Sequence, residues 1–166
     1  MWPSQESWIE SATTHTWADR TMIARIADVG GFGGSDANAA HTQGGRPGFL
    51  DEWHANRDAA APGSITAYGF GTDVNGLGDQ AYARADAAAS PLAYPFTALN
   101  GTTVDRFTMG QRTFDLNTDG MATYGLLADW TADVVAQAGA DGPLLRQQLM
   151  AGAEDWTRMW EASIAW

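Results

Sequence analysis

Apolar side chains recur along this chain with two different periods. Ala122, Leu126, Trp130 and Val134 fall four apart, and this spacing predicts a helix over roughly 119–137. Leu145, Leu149, Trp156 and Trp160 predict another over 143–164, separated from the first by Gly139 and Gly142-Pro143. The stretch FLDEWHANRDAAA (49–61) reads as a helix closed by Pro62-Gly63. Next to it, SITAYGFGTD (64–73) reads as a buried strand ending in a polar turn. Upstream, ATTHT (12–16) is β-branched enough for a short strand. Asp19 can cap a helix over 20–28 that carries Met22, Ile23, Ile26 and Ala27 on one face. A short strand is expected at 28–32, followed by a Gly-rich loop to residue 48. Residues 74–112 are rich in Gly, Ala, Asp and Pro and read as mostly irregular.

The predicted order alternates strands with helices, the pattern of an α/β fold with parallel βαβ units. It offers only two or three strands, and a parallel sheet needs both faces covered. At 166 residues the chain is long enough for a single domain with a real core, and hydrophobic residues make up 45% of it.

Charge narrows the partners. Twenty acidic against nine basic residues give a net charge of −11, and every basic residue is Arg. Such a surface repels phosphate backbones, so nucleic acid is not an expected partner. The absence of Cys excludes disulfides and thiolate metal sites and leaves the redox compartment open. No apolar run approaches the ~18 residues of a membrane span. Met1-Trp2-Pro3-Ser4 lacks the basic start of a signal peptide, and nothing else indicates a location.

One short motif invites a metal. Asp115, Asn117, Asp119 and Gly120 occupy positions 1, 3, 5 and 6 of a calcium loop. Position 12 should be a bidentate Glu, and here it is Leu126, which cannot ligate. The favoured reading is structural: Asp115 and Asn117 shape a turn, and Asp119 or Thr118 caps the next helix. GGFGG (30–34) lacks the setting of a phosphate-binding fingerprint. His41 and His54 read as surface residues, and the eight Trp mostly as core or helix-packing residues.

Read together, YGFGTDVNGL (68–77), YPFTALNG (94–101) and GQRTFDLNTDGMATYGLLADW (110–130) resemble the C-terminal part of metal-dependent hydrolases of the amidohydrolase superfamily. The nearest branch is the membrane-dipeptidase-like group. THTWADRTMIARIADVGG (14–31) is similar to that family's segment around a metal-binding His, and the resemblance spans roughly residues 12–137. It implies a partial (β/α)8 (TIM) barrel: the last two or three strands with their helices, plus a C-terminal helical segment. A whole barrel takes ~250 residues. Residues 138–166 would belong to the barrel or form an appended helical tail.

By this resemblance, residues 28–32 match strand seven and 65–71 strand eight. His15 matches the metal ligand after strand six. Asp73 matches the catalytic aspartate after strand eight and a metal ligand. The implied cofactor is a divalent metal, most plausibly zinc, and the implied substrate a small amide or dipeptide attacked by a metal-activated water. The bare residues also allow duller roles: His15 could bond nearby backbone, and Asp73 could form a turn ahead of Asn75-Gly76.

The sequence departs from the family by lacking the His-x-His or His-x-Asp pair and the bridging Lys or Glu. Thr123 stands where many relatives carry His. The chain is therefore expected to need the remainder of a barrel, or self-association, and to be inactive alone. A non-catalytic binding or structural module derived from the barrel is the alternative.

Overall fold

The computed structural model describes residues 26–27, 29–72 and 80–164. The architecture is mixed helix and strand, and the described residues form three small sheets of two strands each. Strand β1 (Gly34–Asp36) leads through helix α1 (Phe49–Ala59) to β2 (Gly69–Gly71), which lies parallel to β1. Its register pairs Gly34 with Gly69, Ser35 with Phe70 and Asp36 with Gly71. The parallel pair expected from the alternation is present. No barrel closes among the described residues, and none of their helices is long and apolar enough to cross a membrane.

The first described strand lies at 34–36, not at the predicted 28–32; the predicted 12–16 strand lies outside the described residues. Backbone proximity explains the choice. A Cβ at Gly34 would stand 2.5 Å from the Gly69 carbonyl oxygen, so the strands meet where neither residue has a side chain. Gly69 N donates to Gly33 O at 2.9 Å and Ala37 N to Gly71 O at 2.7 Å, extending the ladder at both ends. Regular β2 likewise covers only the end of the predicted 64–73 run.

The connection from β1 to α1 is a folded loop. Gln43 and Arg46 pair across Gly44-Gly45, both at positive φ (59° and 81°), as a tight hairpin turn requires. Thr42 donates from its amide and its hydroxyl to Asp51 Oδ2, at 2.6 and 2.7 Å, and ties the loop to the first turn of α1. Asp51 in that first turn and Arg57 in the last suit the helix dipole.

The described part of the 74–112 stretch, expected to be mostly irregular, contains with Thr113 two antiparallel pairs. Strand β3 (Phe96–Thr97) pairs with β4 (Thr103–Val104), and β5 (Thr108–Met109) with β6 (Arg112–Thr113). Two-residue strands are too short for alternation to register in a sequence. Helix α2 (Leu116–Asp119) and a 3₁₀ turn at Tyr124–Leu126 precede helix α3 (Leu127–Gln137). The predicted helix 119–137 therefore starts late, because Gly120 breaks the chain direction. The predicted 143–164 helix is two, α4 (Gly142–Met150) and α5 (Gly152–Ile164). They part at Ala151, where a Cβ added at Gly152 would come within 3.7 Å of the Phe32 ring and 3.9 Å of the Tyr68 carbonyl oxygen.

The core gathers Phe49, Leu50 and Trp53 of α1, Tyr68 ahead of β2, Leu126, Trp130 and Val134 around α3, and Leu145 of α4. Trp130 is central. Its ring centroid is 4.9 Å from those of both Phe49 and Phe70, and its Nε1 donates to Asn38 O at 2.7 Å. Helix, strand and post-strand loop thus meet on one indole. Gln148 of α4 bridges elements in a similar way. It accepts from Trp53 Nε1 at 2.8 Å and donates to Ile65 O at 2.6 Å. Trp53 and Trp130 are buried as expected, whereas Trp156 and Trp160 stack on each other on the exposed side of α5.

Gly120 offers a direct check on the turn between α2 and the 3₁₀ segment. It adopts φ 59° and ψ −150°, and an added Cβ would lie 2.2 Å from Ala81 O. Gly120→Ala should destabilise the fold by about 2–4 kcal/mol, through backbone strain and a clash that must be relieved. Urea unfolding of the two proteins measures this.

Candidate functional site

The site implied by the strand order lies at the C-terminal ends of β1 and β2. Asp36 closes β1 level with Gly71, and Asp73 is two positions beyond the end of β2 in the sequence. His15 and Asp73 themselves lie outside the described residues. Among the described residues, no three His, Asp or Glu side chains are grouped to hold a metal ion.

A polar network joins α1 to the middle of β1 and to the residue that precedes β2. Tyr68 and Ser35 share a 2.5 Å hydrogen bond between hydroxyls, and the Asn56 side-chain amide of α1 donates to the same phenol. Ser35 and Asn56 are buried with it. Glu52, one turn earlier on α1, joins through Ser35. Burial raises its pKa to about 7; the Ser35 bond opposes the rise, and the charges of Asp36 and Asp51 add to it. No sequence motif singles out Glu52. A carboxylate immediately before a buried Trp on a helix was the available signal.

The histidines behave as expected of surface residues. His41 Nδ1 lies 3.7 Å from Asp51 Oδ1, and His54 Nε2 lies 3.3 Å from Asp141 Oδ2, with both imidazoles about half exposed. Arg57 also bonds Asp141, at 3.0 Å.

The calcium-like segment is a turn held by arginines. Asp115 Oδ1 accepts from Asn117 N at 2.9 Å, and its Oδ2 accepts from Arg106 Nε at 2.7 Å. Asp119 accepts from Asp115 N and from Arg112 Nη2, both at 2.8 Å. Burial pushes the Asp115 pKa up, but its bonds to Arg106 and Asn117 more than compensate and hold it low. The Asp115 amide, and then Arg112, lower that of Asp119. Asn117 bonds both backbone groups of Leu92, at 2.8 and 3.0 Å. Position 126 is fully buried leucine. The turn reading agrees with this geometry, but the cap does not. Thr123, not Asp119 or Thr118, accepts from a backbone amide ahead of α3, that of Gly125 at 3.3 Å. Asp119 instead reaches back to the start of α2.

Two acids on α3 anchor the segment that follows β2. Asp133 takes a two-pronged bond from Arg84, at 2.7 and 3.0 Å. Arg84 also reaches Asp86 Oδ1 and Ser90 O, each at 2.5 Å, and only 5% of its side chain is exposed. Four residues earlier on α3, Asp129 accepts from the Tyr94 hydroxyl at 2.5 Å. That hydroxyl accepts from Leu116 N at 3.2 Å, and Arg106 lies over the Tyr94 ring at 4.5 Å. Burial raises the Asp129 pKa, although the Tyr94 bond works against the rise. Asp129 and Asp133 flank the apolar stripe of the predicted helix, and acids in that position need buried partners. This was the legible sign of the lock.

Compared with protein-family models, with curated proteins and with solved structures, the chain matches none.

Cutting the lock should be costly on one side only. Arg84→Met leaves Asp133 buried and unpaired and should lower stability by about 3–5 kcal/mol. Adding Asp133→Leu should recover most of that loss, which denaturant unfolding of the single and double variants can measure.

Proposed function

We propose that the chain is the C-terminal part of a metal-dependent hydrolase of the amidohydrolase superfamily, one that cleaves small amides such as dipeptides and is inactive without the remainder of its barrel. The observation that carries this reading is the parallel register that sets Asp36 level with Gly71. Both strands end on one rim, where α/β barrels keep their chemistry, and in the sequence the GTDVNG motif begins with the last residue of β2. Support also comes from the motif segments at 94–101 and 110–130. The first contributes Tyr94 and the second Leu116 and Asp129 to one hydrogen-bonded group.

A bound divalent ion such as zinc supplies an attacking water acidified to a pKa of about 7. His15 and Asp73 are the proposed ligands on this chain. Asp73 takes the proton of the attacking water and returns it to the departing amine. The loop at 37–48, folded against α1 by Thr42 and Asp51, forms one wall of the substrate cleft.

Titration calorimetry and a dipeptide hydrolysis assay test this reading. The chain alone should bind zinc weakly, lose that binding in His15→Ala and in Asp73→Ala, and hydrolyse no dipeptide, because two ligands fall short of the three that a working site needs. Co-expression with an upstream barrel portion should restore hydrolysis, and Asp73→Asn should abolish it. Stoichiometric turnover by the chain alone would refute the fragment reading. Zinc binding indifferent to both substitutions would refute the ligand assignment and favour a non-catalytic module.

A further inference from the structure

Glu52 turns its carboxyl from the first turn of α1 toward β1. Its Oε2 is shut off from solvent and has no hydrogen-bond partner. A chain of hydrogen bonds adjoins it: the Asn56 amide donates to the Tyr68 phenol, the phenol shares a bond with the Ser35 hydroxyl, and Ser35 bonds Glu52. One neutral donor is poor compensation for burying a carboxylate charge. The charged groups acting on it also oppose ionisation: Asp36 from β1 and Asp51 from α1. Asp51 keeps its own charge through two bonds from Thr42 and through His41, 3.7 Å away on the 37–48 loop.

We propose that Glu52 is a proton switch between α1 and the end of β1. Protonated, it seats the first turn of the helix against the strand. Ionised, it is repelled by Asp36 and Asp51, and the turn loosens together with the loop that Asp51 holds. The device is independent of the hydrolase reading and uses neither His15 nor Asp73.

The direction of the linkage follows from which state holds the proton. An unfolded chain releases this proton at the ordinary carboxylate value of 4.5, whereas the folded chain keeps it to about pH 7. The contribution of Glu52 is therefore full below 4.5 and is lost as pH rises toward 7. Within that window it can change the folding equilibrium by at most about tenfold per pH unit.

Carboxyl-carbon NMR titration of the full chain tests the switch, with the Glu52 signal assigned by its loss in Glu52→Gln. The expected midpoint is near 7, and Asp36→Asn should move it down. Hydrogen exchange of residues 37–52, corrected for intrinsic rates, should show protection falling between about pH 5 and about pH 7 in the native chain, levelling off above that, and holding steady in Glu52→Gln. A Glu52 midpoint near 4.5, or one unmoved by Asp36→Asn, would overturn the proposal. So would equal loss of protection in the native and Gln proteins.

Discussion

The described fold depends on how Trp130 is held. A three-residue parallel pair has too little ladder to stand alone. Here its C-terminal end is clamped from the helix side by one indole, which touches Phe49 of α1 and Phe70 of β2 and caps the Asn38 carbonyl beyond β1. The indole reconciles two demands, since its ring fills the apolar layer while its N–H satisfies a backbone oxygen that leaves the ladder. Gly34 and Gly69 complete the arrangement by letting the two backbones close to a distance that side chains would forbid.

The same helix that carries Trp130 also organises the long excursion after β2. Asp129 and Asp133 lie four apart on α3, and each captures a group from residues 80–94. Buried ion pairs of this kind add little net stability over an apolar filling, but they specify where a loop must sit. Arg106 and Arg112 extend the principle at the surface, each lying over an aromatic ring and bonding an acid of the DLNTD turn. Residues that look like a cation loop in one dimension are in this way neutralised by side chains of the chain itself. A net charge of −11 is partly reconciled with compactness by these local pairings.

Legibility followed the range of the forces involved. Helix α1 was visible because its start and end are local matters, set by Gly48 and by the Pro62-Gly63 turn, and it falls within one or two residues of expectation. Alternation of elements was enough to anticipate a parallel pair. The position of β1 was not, because a glycine-rich run carries no alternation and its pairing is decided by close approach to Gly69, 35 positions away. The β3–β4 and β5–β6 ribbons were hidden because two-residue strands are too short to show alternation. At the candidate site, sequence motifs pointed to His15 and Asp73, while Glu52, Ser35 and Asn56 carry no motif. Their significance comes from being brought together between α1 and β1, which only the tertiary structure does.

The central claim is that Trp130 secures the ends of the two parallel strands and thereby the rim on which the proposed chemistry stands. Amide hydrogen exchange by NMR on the native chain and on Trp130→Leu tests it most directly, read at the Gly69 and Ala37 amides that donate across the ladder. The account predicts that both amides exchange slowly in the native protein and lose their protection together in the variant, while the amides of α4 and α5 keep most of theirs. Ladder amides that stay protected without the indole would contradict it.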